Sequence, residues 1–245
     1  MKIGIIGFGR LGRLLTRYLA QDADVLVHDL SDMSEEAIKL GAKSASFEEV
    51  CACPIVIPCV PIGHFEEVIK RMSPLLTSDA LVADVCTVKE LPSEIMLKHL
   101  PASVSLLATH PMFGPDSARH TVFGRKIVLH NLRTPNRLYH NIKSYLESHG
   151  LKVIEATPTE HDEQIARTLV LTHFIGRTLI DFKATPKSID TKGYRRLMKI
   201  LDQVENDSIE LFLDMNKYNR FAKKVREDFF ASMGKIDHFI DSGGV

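Results

Sequence analysis

Residues 7–12 read Gly-Phe-Gly-Arg-Leu-Gly and follow directly on the apolar run of residues 2–6. A G-x-G-x-x-G between a strand and a helix suits a pyrophosphate. Gly7 permits the tight turn, Gly9 lets the phosphates approach the backbone, and Gly12 lets the helix pack closely on the strand. Phe8, Arg10 and Leu11 complete this loop, and the helix that follows offers free amides and a favourable dipole to an anion. The next apolar run ends at Asp29, 17 residues after Gly12. A carboxylate there can accept hydrogen bonds from both ribose hydroxyls of NAD, and it would repel the 2′-phosphate of NADP. Leu30, Ser31 and Asp32 come next, with no Arg or Lys among them. NAD is therefore the expected cofactor, with NADP as the alternative. The run Val56-Ile-Pro-Cys-Val-Pro61 ends at a proline-bounded loop, so Val60 and Pro61 are expected to border the cofactor. A plain buried strand and turn is the other reading of that run.

Two further strand ends carry reactive groups. Asp84-Val-Cys-Thr-Val-Lys89 supplies a hydroxyl and a cation, and Thr109-His-Pro-Met-Phe-Gly-Pro115 supplies a histidine. A hydride leaving a carbinol carbon needs a neighbour that accepts or polarises the hydroxyl proton. Imidazole suits this, because its ordinary pKa of about 6.5 lies near working pH. His110 is the candidate catalytic base, and Thr87 could hold the imidazole or the substrate hydroxyl in register. With 11 histidines in the chain, position rather than residue type singles His110 out.

These groups need a scaffold that brings several strand ends to one edge. Strands are expected at residues 2–6, 25–28, 55–60, 80–84, 105–108, 126–129 and 152–155, with helical periodicity between several of them, as at 10–20 and 64–72. Short buried strands alternating with helices indicate an α/β, Rossmann-type doubly wound sheet. After the turn-like Thr157-Pro158-Thr159 the pattern becomes almost wholly helical, at about 160–182, 188–204 and 207–240. The expected organisation is a dinucleotide-binding domain over residues 1–156 and a small all-helical domain over 157–245. The 44% hydrophobic and 25% charged composition suits a globular protein, and 31 basic residues balance 31 acidic ones. That balance gives no electrostatic reason for nucleic acid or an anionic membrane as partner. Cys51, Cys53, Cys59 and Cys86 lack C-x-x-C spacing, which points to reduced thiols and no metal. No apolar run reaches the ~18 residues of a membrane span, and because the chain opens directly into its first motif, no leader is expected. A cytoplasmic location is expected.

The chain resembles the prephenate/arogenate dehydrogenase family, particularly its plant-type arogenate dehydrogenase branch. The glycine motif, Asp84-Val-Cys-Thr-Val-Lys89 and Thr109-His-Pro-Met-Phe-Gly-Pro115 carry the likeness in the first domain. Glu160-His-Asp162, Thr172-His173, Gly176-Arg177, Asp190-Thr-Lys-Gly-Tyr194, Asp207-Ser208 and Tyr218-Asn219-Arg220 carry it in the second. The resemblance implies NAD-linked oxidative decarboxylation of a cyclohexadienol, arogenate or prephenate, in tyrosine synthesis. His110 would bond the ring hydroxyl, and Thr87 stands where the family usually has serine. His173 matches a histidine of the substrate pocket. Arg177, Lys192 and Arg220 are candidates for meeting the substrate carboxylates, Lys192 first among them. Asp207 would meet the amine of arogenate, with helix capping as its other reading. His161–Asp162 would start a helix, and family members dimerise through the helical domain, so a homodimer is expected. Two rivals are a β-hydroxyacid or imine-type NAD-dependent reductase and a non-catalytic NAD-sensing regulator.

Overall fold

Strand β1 (Lys2–Ile6) is buried from Ile3 onward, as a parallel strand covered on both faces should be. The computed structural model to which it belongs describes residues 1–244, the side chain of Gln203 excepted. Two compact units divide it, Met1–His161 and Asp162–Val245.

In the first unit β1 is followed by α1 (Arg10–Leu19), β2 (Asp24–His28), α2 (Ser34–Lys39), β3 (Lys43–Ser44), α3 (Phe47–Cys51), β4 (Ile55–Pro58) and α4 (Ile62–Met72). Then come β5 (Leu81–Asp84), α5 (Glu90–His99), β6 (Ser105–Pro111), β7 (Lys126–Arg133), α6 (Asn136–Ser148) and β8 (Lys152–Glu155), while α7 (Pro158–Ile165) spans the boundary of the two units. The eight strands form one sheet in the order β3-β2-β1-β4-β5-β6-β7-β8. Chain direction across the sheet reverses between β1 and β4, and in open α/β sheets the ligand crevice lies beyond the strand carboxyl ends at such a point. Six of the seven strand pairings are parallel. The exception is β6 with β7, which are antiparallel. No helix lies between these two strands, and a parallel return would require a crossover helix. Strand β3 is missing from the expected set because two exposed residues carry no alternation to read. One apolar cluster, including Ile3, Ile5, Val25, Val27 and Phe8, packs α1 on the sheet. A second, around Leu81, Leu107, Leu129 and Tyr139, packs α6.

The units part between His161 and Asp162 rather than between 156 and 157. The first turn of α7 belongs to the sheet unit, where Thr159 Oγ1 donates to Glu90 at 2.6 Å and His161 bonds His110. The expected helix over 160–182 contains a π-helical turn at Ala166–Val170 before α8 (Leu171–Asp181). Helix α9 (Lys192–Glu205) begins where the Thr191 hydroxyl accepts from the Tyr194 amide at 3.2 Å, four residues later than expected. The run expected at 207–240 is two helices, α10 (Ile209–Tyr218) and α11 (Ala222–Asp241). Buried Asn219 makes the break, donating to Asp162 O at 2.8 Å and accepting from the Phe221 amide at 3.0 Å. An asparagine side chain that bonds nearby backbone in this way competes with helix continuation.

Candidate active site

The glycine loop joins β1 to α1 with the geometry its residues imply. Gly7 has φ +95°, and a Cβ there would also lie 2.5 Å from Cys59 O. A Cβ on Gly12 would lie 2.2 Å from Gly7 O. Gly9 faces open space, and α1 starts immediately after it with no side-chain cap. A helix N-terminus approached across a bare glycine fits a pyrophosphate. Asp29 Oδ2 accepts from the Phe8 amide at 2.6 Å, and Oδ1 accepts from Ser31 N at 3.3 Å. The Phe8 ring is buried while Leu11 packs against the core. Arg10 pairs with Asp116 at 2.7 Å. From β4, Cys59 N bonds Ile6 O at 2.6 Å. Val60 Cγ1 stands 3.2 Å from the Cβ position of Gly7, and Pro61 opens α4. All the expected cofactor residues therefore belong to, or adjoin, the β1–β4 end of the crevice.

The ends of β5 and β6 are tied together by Asp84, which is wholly buried. Its carboxylate accepts from Lys89 Nζ, from Cys86 N at 3.0 Å and from Thr109 N at 3.3 Å. Its carbonyl accepts from Thr109 Oγ1 at 2.5 Å. One residue thus fixes both the loop that carries Thr87 and the strand end that carries His110. Thr87 Oγ1 is buried and has no hydrogen-bond partner among the described residues, so its donor is available. His110 and His161 are each 3% exposed, and His110 Nδ1 lies 2.8 Å from His161 Nε2. Burial, the His161 ring and the Lys89 charge, in that order, hold the His110 pKa well below its ordinary value. At neutral pH His110 is therefore a neutral imidazole, the form a base requires. The sequence reading took His161 only as a helix start, although it lies inside the Glu160-His-Asp162 motif.

In the helical unit α8 buries His173 and Gly176. Asp207 gathers two of the expected residues. His173 Nε2 is 3.6 Å from Asp207 Oδ2, too long for a hydrogen bond, and Arg177 Nη2 donates to Asp207 O. His173 Nδ1 and Arg177 Nε are buried and have no hydrogen-bond partner among the described residues. Burial lowers the His173 pKa, against an opposing pull from Asp207. Capping of α10 is supplied by Ser208, whose hydroxyl accepts from Leu211 N at 3.1 Å. Lys192 is the exposed first residue of α9 and makes no described contact with the His173–Arg177–Asp207 group. The Arg220 guanidinium lies 4.6 Å from the Phe221 ring centroid.

All four cysteines are free, and burial pushes the Cys59 thiol up to about 12, far from a nucleophilic thiolate. Among the described residues no group of three or more His, Cys, Asp or Glu could hold a metal, and no helix is long and apolar enough to cross a membrane.

The family model for the nucleotide-binding domain of prephenate dehydrogenase matches residues 12–155, and a TYRAAT1-like C-terminal domain model matches residues 178–241. The chain belongs to the prephenate dehydrogenase family. It is 33% identical to arogenate dehydrogenase 1, chloroplastic, of Arabidopsis thaliana, over 96% of this chain and 38% of that protein. To arogenate dehydrogenase 2, chloroplastic, of the same plant it is 31% identical, over 93% of this chain and 66% of the relative. Less than two thirds of either relative's length is thus represented here. A crystal structure of prephenate dehydrogenase from A. aeolicus, in complex with hydroxyphenyl propionate and NAD+, superposes with a TM-score of 0.77. That match has 20% identity and covers 99% of this chain and 91% of the other. At this identity the likeness establishes the shared fold.

Proposed function

We propose that the protein catalyses oxidative decarboxylation of arogenate or prephenate, with NAD as hydride acceptor, in tyrosine biosynthesis. The observation that carries this reading is His110, a buried neutral imidazole at the carboxyl end of β6, tied through Asp84 to the Thr87 loop. When bound, NAD supplies an acceptor for the hydride at ring carbon C4. His110 takes the C4 hydroxyl proton as the C4 hydrogen departs with its electron pair, leaving a carbonyl at C4. The ring carboxylate then leaves as carbon dioxide, and its bonding pair enters the ring to give an aromatic phenolate. The proton returns from His110 to that phenolate, so none is released overall. Aromatisation drives the step, which leaves the protein to orient the ring and polarise the hydroxyl. Thr87 Oγ1 is assigned to hold the substrate hydroxyl or the His110 ring.

In the helical unit we assign substrate recognition to His173, Arg177, Lys192 and Asp207. Arg177 has the strongest support for a carboxylate contact, because its Nε is buried without a hydrogen-bond partner among the described residues and guanidinium matches carboxylate geometry. Asp207 would pair with the ammonium group of arogenate. Exposed Phe230, Met233, Ile236 and Phe239 on α11, with Ile209 and Leu213 on α10, support a homodimer through this unit. Met215 and Ala222 are fully buried within the protomer and belong to its core.

The test is reduced-cofactor absorbance with the purified protein, crossing arogenate or prephenate with NAD or NADP. Turnover with NAD supports the reading, and a preference for prephenate removes the ammonium role of Asp207. NAD binding without turnover in any mixture points to a regulator. The Asp29 carboxylate and the engagement of Arg10 by Asp116 both favour NAD. Asp29→Ser should therefore shift the NAD/NADP ratio of kcat/KM toward NADP by about 10-fold or more, the range expected when one charged contact is lost. An unchanged ratio would remove Asp29 as the selector.

A further inference from the structure

We propose that His161 is a positioning residue that sets the tautomer of His110, so that the paired rings share one proton and His110 presents Nε2 as its acceptor. The inference rests on the functional reading above for its chemistry and on the imidazole contact for its geometry. At 2.8 Å, His110 Nδ1 and His161 Nε2 can hold only one hydrogen between them. Two N–H groups would collide, and two lone pairs would repel. If His161 donated, His110 would carry its hydrogen on Nε2 and could not accept a proton there. If His110 donates from Nδ1, its Nε2 lone pair is exposed to the substrate hydroxyl and the ring is a base. When His110 becomes an imidazolium it keeps that Nδ1–H bond, so the acceptor on His161 steadies the charge for as long as the proton is held.

The surroundings favour a fixed pair. Both rings are buried, with centroids 5.0 Å apart and planes at 68°. His161 is anchored in the first turn of α7 by its amide bond to Thr157 O at 2.9 Å. His161 comes from α7, Lys89 from the loop after β5, and Asp84, at the end of β5, offsets the Lys89 charge. A proton added to His110 would place positive charge beside Lys89 in a desolvated site, so the His110 ring stays neutral at neutral pH.

Histidine tautomers are read directly from imidazole 15N shifts of the intact 245-residue chain. The wild type should show His110 protonated at Nδ1 near pH 7, with the signal assigned by its loss in His110→Gln. Protonation of His110 at Nε2 instead would overturn the proposal, whether or not the protein turns over a cyclohexadienol. Failure of the functional reading is thereby distinguishable, since it would show as absent turnover with the tautomer intact. In kinetics, His161→Leu should lower kcat by about 10- to 100-fold with KM changed less than about twofold. His161→Gln retains an acceptor oxygen and should recover most of kcat. It also removes the His161 ring, one of the causes that lower the His110 pKa, so the acid limb of its kcat/KM profile should move upward in pH. NAD affinity, measured by fluorescence, should match wild type in both variants and serves as the check on folding. Unchanged kcat in His161→Leu, or no rescue by glutamine with NAD binding intact, would overturn the assignment.

Discussion

His110→Gln is expected to lower kcat by about 10²–10⁴-fold, the range for loss of a general base, while NAD affinity stays within about twofold of wild type. Glutamine fills much of the same volume and can hydrogen-bond, but it cannot hold the proton that leaves the C4 hydroxyl. The Asp84 hub and the glycine loop do not depend on the imidazole, which is why binding and chemistry should separate. The wild-type pH profile adds a sign. His110 must be neutral to act, and its pKa is held well below 6.5 by burial, His161 and Lys89. The kcat/KM profile should therefore stay level as pH falls through 6.5 and decline only below it. In His110→Gln that acid limb should disappear from the residual activity. A profile that breaks at or above 6.5, or a variant with near-normal kcat, would remove His110 as the base.

The glycine loop, Asp29 and the strand ends carrying Thr87 and His110 were legible because their chemistry is local. Gly7, Gly9 and Gly12 act within one turn, and a strand end is marked by its own apolar run. Relations between distant segments were not legible. Asp84 reads as one carboxylate in a motif, yet the structure makes it the tie between β5 and β6 through Thr109, 25 residues away. His161 and His110 are 51 residues apart, and nothing in either segment announces that the rings meet. The break at Asn219 was hidden for a similar reason, since it depends on a bond to Asp162, 57 residues earlier. The antiparallel β6–β7 pairing was signalled only by a missing crossover helix. For Asp207 the sequence left two readings, a substrate contact and a helix cap, and the structure gives the cap of α10 to Ser208.

Lys89→Met should lower the unfolding free energy by about 3–5 kcal/mol, the cost typical of stripping one partner from a buried ion pair. Lys89 and Asp84 have side chains 1% and 0% exposed, so water cannot replace the lost ammonium. The bonds from Cys86 N and Thr109 N remain and should keep the loss within that range. Burial already raises the Asp84 pKa above its ordinary value, with Lys89 and the backbone donors opposing it. Removing Lys89 leaves burial less opposed. A carboxyl whose folded pKa lies above its unfolded value binds protons preferentially in the folded state, so protonation favours folding as pH falls through that range. The deficit of Lys89→Met should thus be largest near neutral pH and shrink on mild acidification. Paired substitution, Asp84→Asn with Lys89→Met, removes both charges and should recover much of the loss. Urea unfolding of wild type, the single variant and the double variant at neutral and mildly acidic pH measures all three terms. A single-variant loss under about 1 kcal/mol, the scale of an exposed pair, would show that Asp84 and Lys89 do not hold the β5 and β6 ends together. Turnover supplies the functional counterpart. Because the same carboxylate sets the Thr87 loop and the Thr109–His110 strand end, kcat should fall in Lys89→Met under conditions where the protein remains folded.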